Sequence, residues 1–354
     1  RIDFLGNTKG ALKLEPQRSN VITYSEDFSN AYWTKGGSSV VSGFTSPSGD
    51  LSAFKLVENS SNSSHSLQSP FVSGASGADT FSIFAKSDGR FNFSIVEDAY
   101  TGINVIVNLQ DGTITTTGQQ ANIISLKNGW YRIDVTRADN SNPSRWLISL
   151  LDSSNNASYQ GDGTSGVYIY GAQLEQGSYP TSYIPTNGST VQRAAETCND
   201  SGNSEVFNDS QGVLFANIAA NADDGVNKFI SISDGTIANR INIVFDTSNN
   251  INARQAPGSV NISTSGVNIL NSNKIAYEYQ NGSQELWVNG FKTGETSVST
   301  LPSGLDRLNF DSFNGGDDMY AKTKEIGYYD TALTDAELET LTSYRSLNEM
   351  VTEL

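Results

Sequence analysis

The residues able to carry acid–base chemistry in this sequence are carboxylates, because 38 Asp and Glu residues accompany a single histidine. Glycoside hydrolysis needs two carboxyl groups placed around one bond. Glu278 and Glu285 flank the turn Asn281-Gly282 and could face each other across a hairpin, although solvated strand carboxylates are the alternative interpretation. No other acidic pair falls recognisably on one strand face, so we expect a binding protein rather than an enzyme.

The single histidine and the single cysteine exclude several kinds of site. Cys198 alone cannot form an intrachain disulfide or a cysteine-rich metal site, and we interpret it as an incidental thiol in a polar stretch. One histidine rules out His-paired zinc motifs. A catalytic triad could therefore run only through His65, which follows a polar run and has no companion, and we interpret it as a loop residue.

Aromatic side chains near turns are the candidate binding groups for a sugar. The apolar C–H face of a sugar ring stacks on an aromatic ring, while Asn, Asp and Gln side chains bond its hydroxyls. The candidates near a strand start or a turn are Tyr32, Trp33, Tyr100, Trp146 and Tyr159. A core position stays open for Trp33 and Trp146, since Trp is mostly buried. We expect Trp130 and Trp287 to be core residues.

The composition excludes further classes of function. Lys and Arg total 22 against 38 acidic residues, which gives a formal charge of −16. Such a charge disfavours binding to nucleic acid or to an anionic membrane, and no apolar run approaches the ~18 residues of a membrane-spanning helix. With 36% hydrophobic and 10% aromatic residues, the chain is too apolar to be disordered. Because the sequence opens on Arg1 and not on Met, we expect a fragment or a processed product.

Apolar residues at every second position predict β-strands. Residues 81–86 and 131–135 alternate in this way, as do two runs between them. Asp-Gly and Asn-Gly pairs separate the runs and close hairpins, which is the spacing of an antiparallel sandwich. One helix is predicted near 334–346, where Thr334 and Glu337 have the spacing of a capping box.

The strand pattern returns after about residue 205, beyond a polar stretch, and this predicts two domains. The predicted segments are residues 1–20 as a lead-in strand or linker, 21–197 as the first sandwich, 198–208 as a linker, and 209–354 as the second sandwich with its helix.

Several segments of the first half resemble bacteriophage tail and virion-associated proteins. Residues 14–20 (LEPQRSN) and 23–30 (TYSEDFSN) resemble the opening of a carbohydrate-binding-module-like jelly roll in that group. Residues 167–177 (VYIYGAQLEQG) with 183–186 (YIPT) resemble its closing strand, and residues 191–196 (VQRAAE) resemble the segment that follows.

The second half is similar to laminin-G/concanavalin-A-like sandwiches. The similarity rests on residues 286–290 (LWVNG), 326–330 (IGYYD) and 332–338 (ALTDAEL). Together the two resemblances imply an all-β fold of two tandem antiparallel β-sandwiches, the first jelly-roll-like and the second laminin-G/concanavalin-A-like, with one short helix in the C-terminal region.

The resemblance also implies a function. We expect a non-enzymatic virion fibre, tail or capsid-associated protein that binds a host-surface glycan or polysaccharide, located on the virion or otherwise extracellular. Other virion proteins would be partners, and phage fibres suggest a homotrimer by analogy. Two alternatives stay open, namely a purely structural decoration or assembly protein of the virion, and a secreted bacterial protein that binds or cleaves glycans.

A metal ion is implied only by analogy. Many carbohydrate-binding jelly rolls hold a structural calcium ion between their first and last strands. In this sequence the corresponding carboxylates are Glu26 and Asp27 together with Glu175. Calcium, as a structural ion, is therefore the one cofactor that the analogy suggests, and solvated acidic loops are the alternative interpretation.

Overall fold

The computed structural model describes residues 1–3, 10–72, 77–97, 103–116, 120–138, 143 and 145–344. Within these residues the chain forms 27 strands, a 3-10 turn at Lys127–Gly129 and one α-helix, α1, at Asp335–Thr342. The strands are, in chain order, β1 Ile2–Asp3, β2 Ala11–Lys13, β3 Arg18–Asn20, β4 Thr34–Gly36, β5 Ser38–Phe44, β6 Ala53–Glu58, β7 Asn62–Gln68, β8 Asp79–Asp88, β9 Asn92–Glu97, β10 Ile103–Asn108, β11 Thr113–Thr115, β12 Gln120–Ser125, β13 Tyr131–Arg137, β14 Trp146–Leu150, β15 Ser158–Gln160, β16 Gly166–Gln176, β17 Val191–Arg193, β18 Gln211–Ala220, β19 Lys228–Ser233, β20 Arg240–Phe245, β21 Ile251–Ala256, β22 Val260–Thr264, β23 Asn273–Gln280, β24 Ser283–Val288, β25 Phe291–Thr296, β26 Arg307–Asn309 and β27 Ala321–Tyr329. None of the described residues forms a helix of the length and hydropathy that a bilayer crossing requires.

The chain folds as two compact units, and each is an antiparallel β-sandwich, which confirms the predicted all-β class. The first sandwich consists of residues 17–194, and the second consists of residues 1–16 together with the chain from Ala195 onward.

The first sandwich closes one core between two sheets. One sheet has the order β11-β10-β9-β14-β7-β15, with β4 also paired to β7. The other, which we call the platform sheet, has the order β12-β13-β8-β16-β6-β5. Phe81 and Ile83 of the platform sheet meet Phe93 and Ile95 of the opposite sheet in this core. Because strand side chains alternate, Phe84 of β8 points away from the core.

The second sandwich pairs a seven-stranded sheet, β1-β2-β27-β18-β23-β24-β25, with a five-stranded sheet, β22-β21-β20-β19-β26. Leu214 and Ile275 of the larger sheet share a core with Ile230 and Ile241 of the smaller one.

The first 16 residues belong to the second sandwich, unlike the predicted segments. There β2 pairs with β27, and Leu14 is 4% exposed in the core. Residues 198–208, predicted as a linker, also join this sandwich: Ser201 bridges to Leu308, and Phe207 packs into the core. The first sandwich is thus inserted into the second, and the two are not tandem. Short strands without an apolar period leave no signal in the sequence for this pairing.

The predicted capping box is present at the start of α1. Glu337 N donates to Thr334 Oγ1 at 3.4 Å, and Thr334 N donates to Glu337 Oε2 at 2.8 Å. The helix ends at Thr342, before the predicted end at residue 346. Its Leu338 is buried against the outer face of the seven-stranded sheet, beside Trp287, and this burial stabilises the helix by roughly 1.5–3 kcal/mol.

Candidate functional site

Three of the aromatic residues predicted to bind a sugar are buried in the first core. This corrects the prediction for Tyr159, and for Trp33 and Trp146 it confirms the core position that the sequence left open. Trp33 is 2% exposed and Trp146 is 0% exposed, and the Trp146 ring stacks on Phe81 with centroids 5.1 Å apart. Tyr159 is 8% exposed. These three rings point into the core of the sandwich, so no face of them is free to stack on a ligand. Tyr100 lies outside the described residues.

Tyr32, the remaining candidate, is half-buried at the edge of the same core. Its ring meets Trp33 edge to face at 5.4 Å and lies 5.8 Å from the ring of Tyr24. Burial raises the pKa of Tyr32 to about 12. These contacts make Tyr32 a packing residue.

Tyr159 stabilises a buried carboxylate. Its hydroxyl donates to Glu58 Oε2 at 2.7 Å, and Arg90 donates to both carboxylate oxygens at 2.6 Å. Asp162 N donates to Glu58 Oε1 at 2.8 Å. Burial acts most strongly on the pKa of Glu58 and raises it, but these donors together hold the pKa below its ordinary value. The role of Tyr159 is therefore structural.

Glu175, one of the predicted calcium ligands, is fully buried and already bonded. Thr181 N donates to Oε1 at 2.8 Å and Thr181 Oγ1 donates to Oε2 at 2.5 Å. Gln173 Nε2 also donates to Oε1 at 2.5 Å. Both oxygens are thus engaged by protein donors within the fold.

The two other predicted calcium ligands serve different neighbours. Glu26 Oε1 accepts the hydroxyl of Tyr170 at 2.8 Å, and Asp27 Oδ1 accepts Ser29 N at 3.1 Å. Calcium requires six to eight oxygen ligands. Across the described residues, no three His, Cys, Asp or Glu side chains come together in a way that could hold a metal ion. These carboxylates do not fit the predicted calcium site, and we derive no role from one.

His65 lies on β7 and not in a loop, which corrects the interpretation from the sequence. It is 0% exposed. Its Nδ1 lies 2.6 Å from Gly37 O, and its Nε2 lies 3.3 Å from Tyr159 O. Both ring nitrogens thus face backbone carbonyls within the fold.

Glu278 and Glu285 are cross-strand partners, as the hairpin pattern predicts. Burial, and after it the charge of Glu285, raises the pKa of Glu278. Glu278 Oε2 accepts Leu333 N at 3.1 Å, while Glu285 accepts Trp287 Nε1 and Lys292 Nζ, each at 2.9 Å. The pair is 2% and 8% exposed and lies beneath the segment that leads into α1. Its oxygens are engaged in stabilising this covered surface.

The outer face of the platform sheet carries three clustered aromatic rings, Phe84, Tyr170 and Tyr183, which we call the aromatic platform. Phe84 and Tyr170 are cross-strand partners on β8 and β16. The ring centroids lie 5.8 Å apart for Phe84 and Tyr170, 6.0 Å for Phe84 and Tyr183, and 5.6 Å for Tyr170 and Tyr183. All three rings are half-buried, and none belongs to the core. They form a continuous apolar surface that remains partly open to solvent.

A glycine permits this close arrangement. The register of β16 shifts between Tyr170 and Gln173, and Gly171 within this bulge has φ +63°. A Cβ at Gly171 would lie 3.1 Å from Phe84 Cδ2 and from Tyr183 Cζ. Only glycine therefore combines this backbone conformation with two rings resting on it.

A guanidinium holds one edge of the aromatic platform. Arg132 is the cross-strand partner of Phe84, and its guanidinium lies 5.5 Å from the Phe84 ring centroid. Its Nη2 donates to Thr181 O at 2.6 Å and to Ser82 Oγ at 3.1 Å. This geometry places a charged donor group beside an aromatic ring at a half-buried surface.

Hydroxyl groups form the other polar edge. The Tyr170 hydroxyl donates to Glu26, and the Tyr183 hydroxyl lies 2.6 Å from Ser25 Oγ. Burial first, and then the bond to Glu26, raises the pKa of Tyr170 to about 12, so that it is neutral at pH 7. The neighbouring outward residue of β16, Tyr168, packs on Phe44 with centroids 4.8 Å apart.

One buried carboxylate on the outer face of the platform sheet lacks a hydrogen bond from the described residues to one of its oxygens. Asp134 of β13 is 5% exposed, and its Oδ1 has no hydrogen-bond partner among the described residues. Burial raises the pKa of Asp134 to about 6, against the opposing charge of Arg132 and with a further contribution from Glu175.

A signal for the platform exists in the sequence. Phe84 lies in the polar register of its strand, since Phe81 and Ile83 point inward. Tyr170 lies likewise opposite the register of Val167 and Ile169. An aromatic residue at an outward strand position indicates a surface ring. The criterion used for the sugar-binding candidates, a position near a turn, instead picked out rings that are buried.

The solved structures that resemble this chain do so at low sequence identity and low TM-score. No protein-family model and no curated protein sequence matches the chain. The Ruminococcus gnavus IT-sialidase CBM40 is similar at 14% identity over 42% of this chain and 97% of that chain, with a TM-score of 0.35. The same module bound to α2,3-sialyllactose gives 15% identity, the same coverage and a TM-score of 0.34. Domains LG4-5 of the mouse laminin α1 chain give 10% identity, 80% and 91% coverage, and a TM-score of 0.28.

Proposed function

We propose that this protein binds a glycan on the aromatic platform of its first sandwich and leaves the glycan intact. The observation that carries the proposal is the contact among the Phe84, Tyr170 and Tyr183 rings on an outward, half-buried strand face. Apolar surface exposed in a cluster, with polar groups at its edge, is the composition of a small-molecule binding face.

Each part of the platform has a role in this proposal. The rings stack against the C–H face of a sugar, and Arg132 and the Tyr170 hydroxyl bond the sugar hydroxyls at either edge. The Tyr170 hydroxyl donates its one proton to Glu26, so it accepts a hydrogen bond from a sugar hydroxyl. Gly171 maintains the spacing of the rings.

The proposed setting is the surface of a virion, with a host-surface glycan as the ligand, and it rests on the resemblance of the first half to phage virion proteins. A fibre that presents several copies turns weak sugar contacts into firm attachment, because later contacts are effectively intramolecular. A homotrimer would supply such copies. Binding without cleavage suits attachment, since cleavage would release the particle.

The test is retention of the whole protein on an array of bacterial surface polysaccharides, with reducing-end release measured alongside. Phe84→Ser removes one ring of the platform and should weaken retention about tenfold, which corresponds to about 1.4 kcal/mol of stacking. Phe71→Ser is the matched control, because Phe71 is an exposed ring of the first sandwich outside the platform and, like Phe84, lies beside a guanidinium, that of Arg145, 5.1 Å from its centroid.

Two outcomes would count against the proposal. Steady release of oligosaccharides would show that the protein cleaves the glycan. If Phe84→Ser and Phe71→Ser are retained equally well, the aromatic platform does not bind the glycan. If no glycan retains the protein, an assembly role is favoured.

A further inference from the structure

The outer face of the five-stranded sheet in the second sandwich carries polar side chains in register across its strands. Successive cross-strand partners in this row are Asn309, Ser231, Asn242, Arg254 and Asn261. The residues of opposite parity, such as Ile230 and Ile243, form the core. A polar row on an outer face is normally solvated, yet Ser231 and Asn242 are both 0% exposed.

Two buried amides on this face have unpartnered atoms. Neither Oδ1 nor Nδ2 of Asn242 has a hydrogen-bond partner in the described part of the chain. Asn252, which is 1% exposed and lies diagonally opposite on β21, has an unpartnered Oδ1 as well. The neighbouring Ser231 Oγ is already committed to Asp311 O at 2.8 Å. Buried polar atoms are nearly always paired, so these three atoms need a partner that the described protein groups do not supply.

Two half-buried arginines flank these amides. Arg254 is the cross-strand partner of Asn242, and Arg240 lies two residues before Asn242 on β20, on the same face. Among the described residues no ion pair is seen for either arginine, although the charge of Asp317 acts on Arg240 and Arg254 Nε donates to Asn261 Oδ1 at 3.3 Å. Burial, followed by the charge of Arg254, lowers the pKa of Arg240.

Aromatic rings and a loop hold the two guanidiniums in place. The Arg240 guanidinium lies 5.0 Å from the Phe313 ring centroid, and that of Arg254 lies 5.6 Å from the Phe229 ring centroid. Arg240 Nη1 also donates to Ser312 O at 3.0 Å. Two neighbouring cations are therefore positioned beside unpaired amides in a protein whose net charge is −16.

We propose that this face is a second ligand site, at which Arg240 and Arg254 bind the carboxylate of an acidic sugar while Asn242 and Asn252 bind its hydroxyls. A guanidinium fork matches the two oxygens of a carboxylate. A sugar hydroxyl both donates and accepts, so it can serve the amide oxygens and the Asn242 Nδ2 together. Both amides are buried, so the side chains that cover them must move before a sugar hydroxyl reaches them. The site uses no residue of the aromatic platform and stands independently of it.

The test is titration calorimetry of the full chain with oligomers of glucuronate, with neutral glucose oligomers of equal length and with inorganic sulfate. The glucuronate oligomers should bind at least tenfold more tightly than either. Arg254→Gln should lose at least tenfold in affinity. Arg307→Gln is the matched control, because Arg307 lies on the same sheet but is already held by Asp306 at 2.7 and 3.0 Å, and it should leave binding unchanged.

Asn242→Leu separates ligand binding from structure. If the amide is reserved for a ligand, this variant should lose glucuronate binding while its unfolding midpoint stays equal or rises, because an unpaired buried amide has been removed. Asn242→Ala serves if the larger side chain does not fit. Glucuronate and glucose binding equally, sulfate alone binding as tightly as glucuronate, or full binding by a folded Asn242 variant would each overturn the proposal.

Discussion

The Tyr159 hydroxyl offers a quantitative test of the structural role assigned to a residue that the sequence favours as a sugar ligand. Tyr159→Phe leaves the ring in place and removes one of the donors that meet the buried carboxylate of Glu58. A hydrogen bond to a buried charged group contributes about 1.5–3 kcal/mol, so the first sandwich should lose about that much stability at pH 7. At 1.36 kcal/mol per pKa unit, the same loss raises the pKa of Glu58 in the folded protein by about 1–2.

The loss should depend on pH in one direction. The pKa of Glu58 is lowered on folding, so its stabilising contribution is fully present above the pKa of an unfolded glutamate, about 4.3, and disappears as the pH falls through the folded value. The deficit of Tyr159→Phe should therefore be largest at neutral pH and shrink in acid.

The assay is guanidinium unfolding followed by tryptophan fluorescence, which reports mainly on the first sandwich because it holds three of the four tryptophans. The control is Tyr170→Phe, which removes a hydroxyl from the half-exposed Glu26 and should cost less than about 1 kcal/mol, since water can replace it. Equal midpoints for Tyr159→Phe and the native protein at pH 7, or a deficit that does not shrink as the pH falls, would refute the reasoning.

Three further predictions concern other parts of the fold. Thr334→Ala should destabilise the second sandwich by about 1 kcal/mol in thermal unfolding through loss of the helix N-cap, and an unchanged melting temperature would show that α1 contributes little. Asp134→Asn should stabilise the first sandwich at pH 8 by up to roughly 3 kcal/mol. The pKa of Asp134 in the folded protein is about 6, so the native protein is fully stable below the ordinary Asp pKa and loses stability as the pH rises through 6. Equal stability of variant and native protein at pH 8 would contradict this. Residues 17–194 should unfold cooperatively as a separate fragment. Residues 195–354 should have a lower melting temperature than the second sandwich of the full chain unless residues 1–16 are joined ahead of them. An equal melting temperature without residues 1–16 would contradict the inserted topology.

The strands of both sandwiches are predictable from the sequence because alternation and turn residues are local signals. Asn128-Gly129 and Asn289-Gly290 have positive φ at both positions, as hairpin turns require. The capping box at Thr334 is equally local. These features need no knowledge of distant contacts.

The features that the sequence does not predict depend on distant pairing. The lead-in strand β2 joins β27 more than 300 residues away along the chain, and its three residues carry no period. The sequence leaves a surface and a core position open for Trp33 and Trp146, and packing between the sheets decides for the core. Asn242 reads as an ordinary polar strand residue until the structure shows its amide to be buried and unpaired.

The central claim is that the aromatic platform binds a glycan, and one comparison of affinities tests it most directly. The measurement is calorimetric titration of the native protein, Phe84→Ser and Phe71→Ser with the glycan retained best on the array, with thermal unfolding of each protein as the check on folding. Phe84→Ser should still unfold in one cooperative transition but bind about tenfold more weakly, while Phe71→Ser should bind as the native protein does. Equal affinity of all three folded proteins would contradict it.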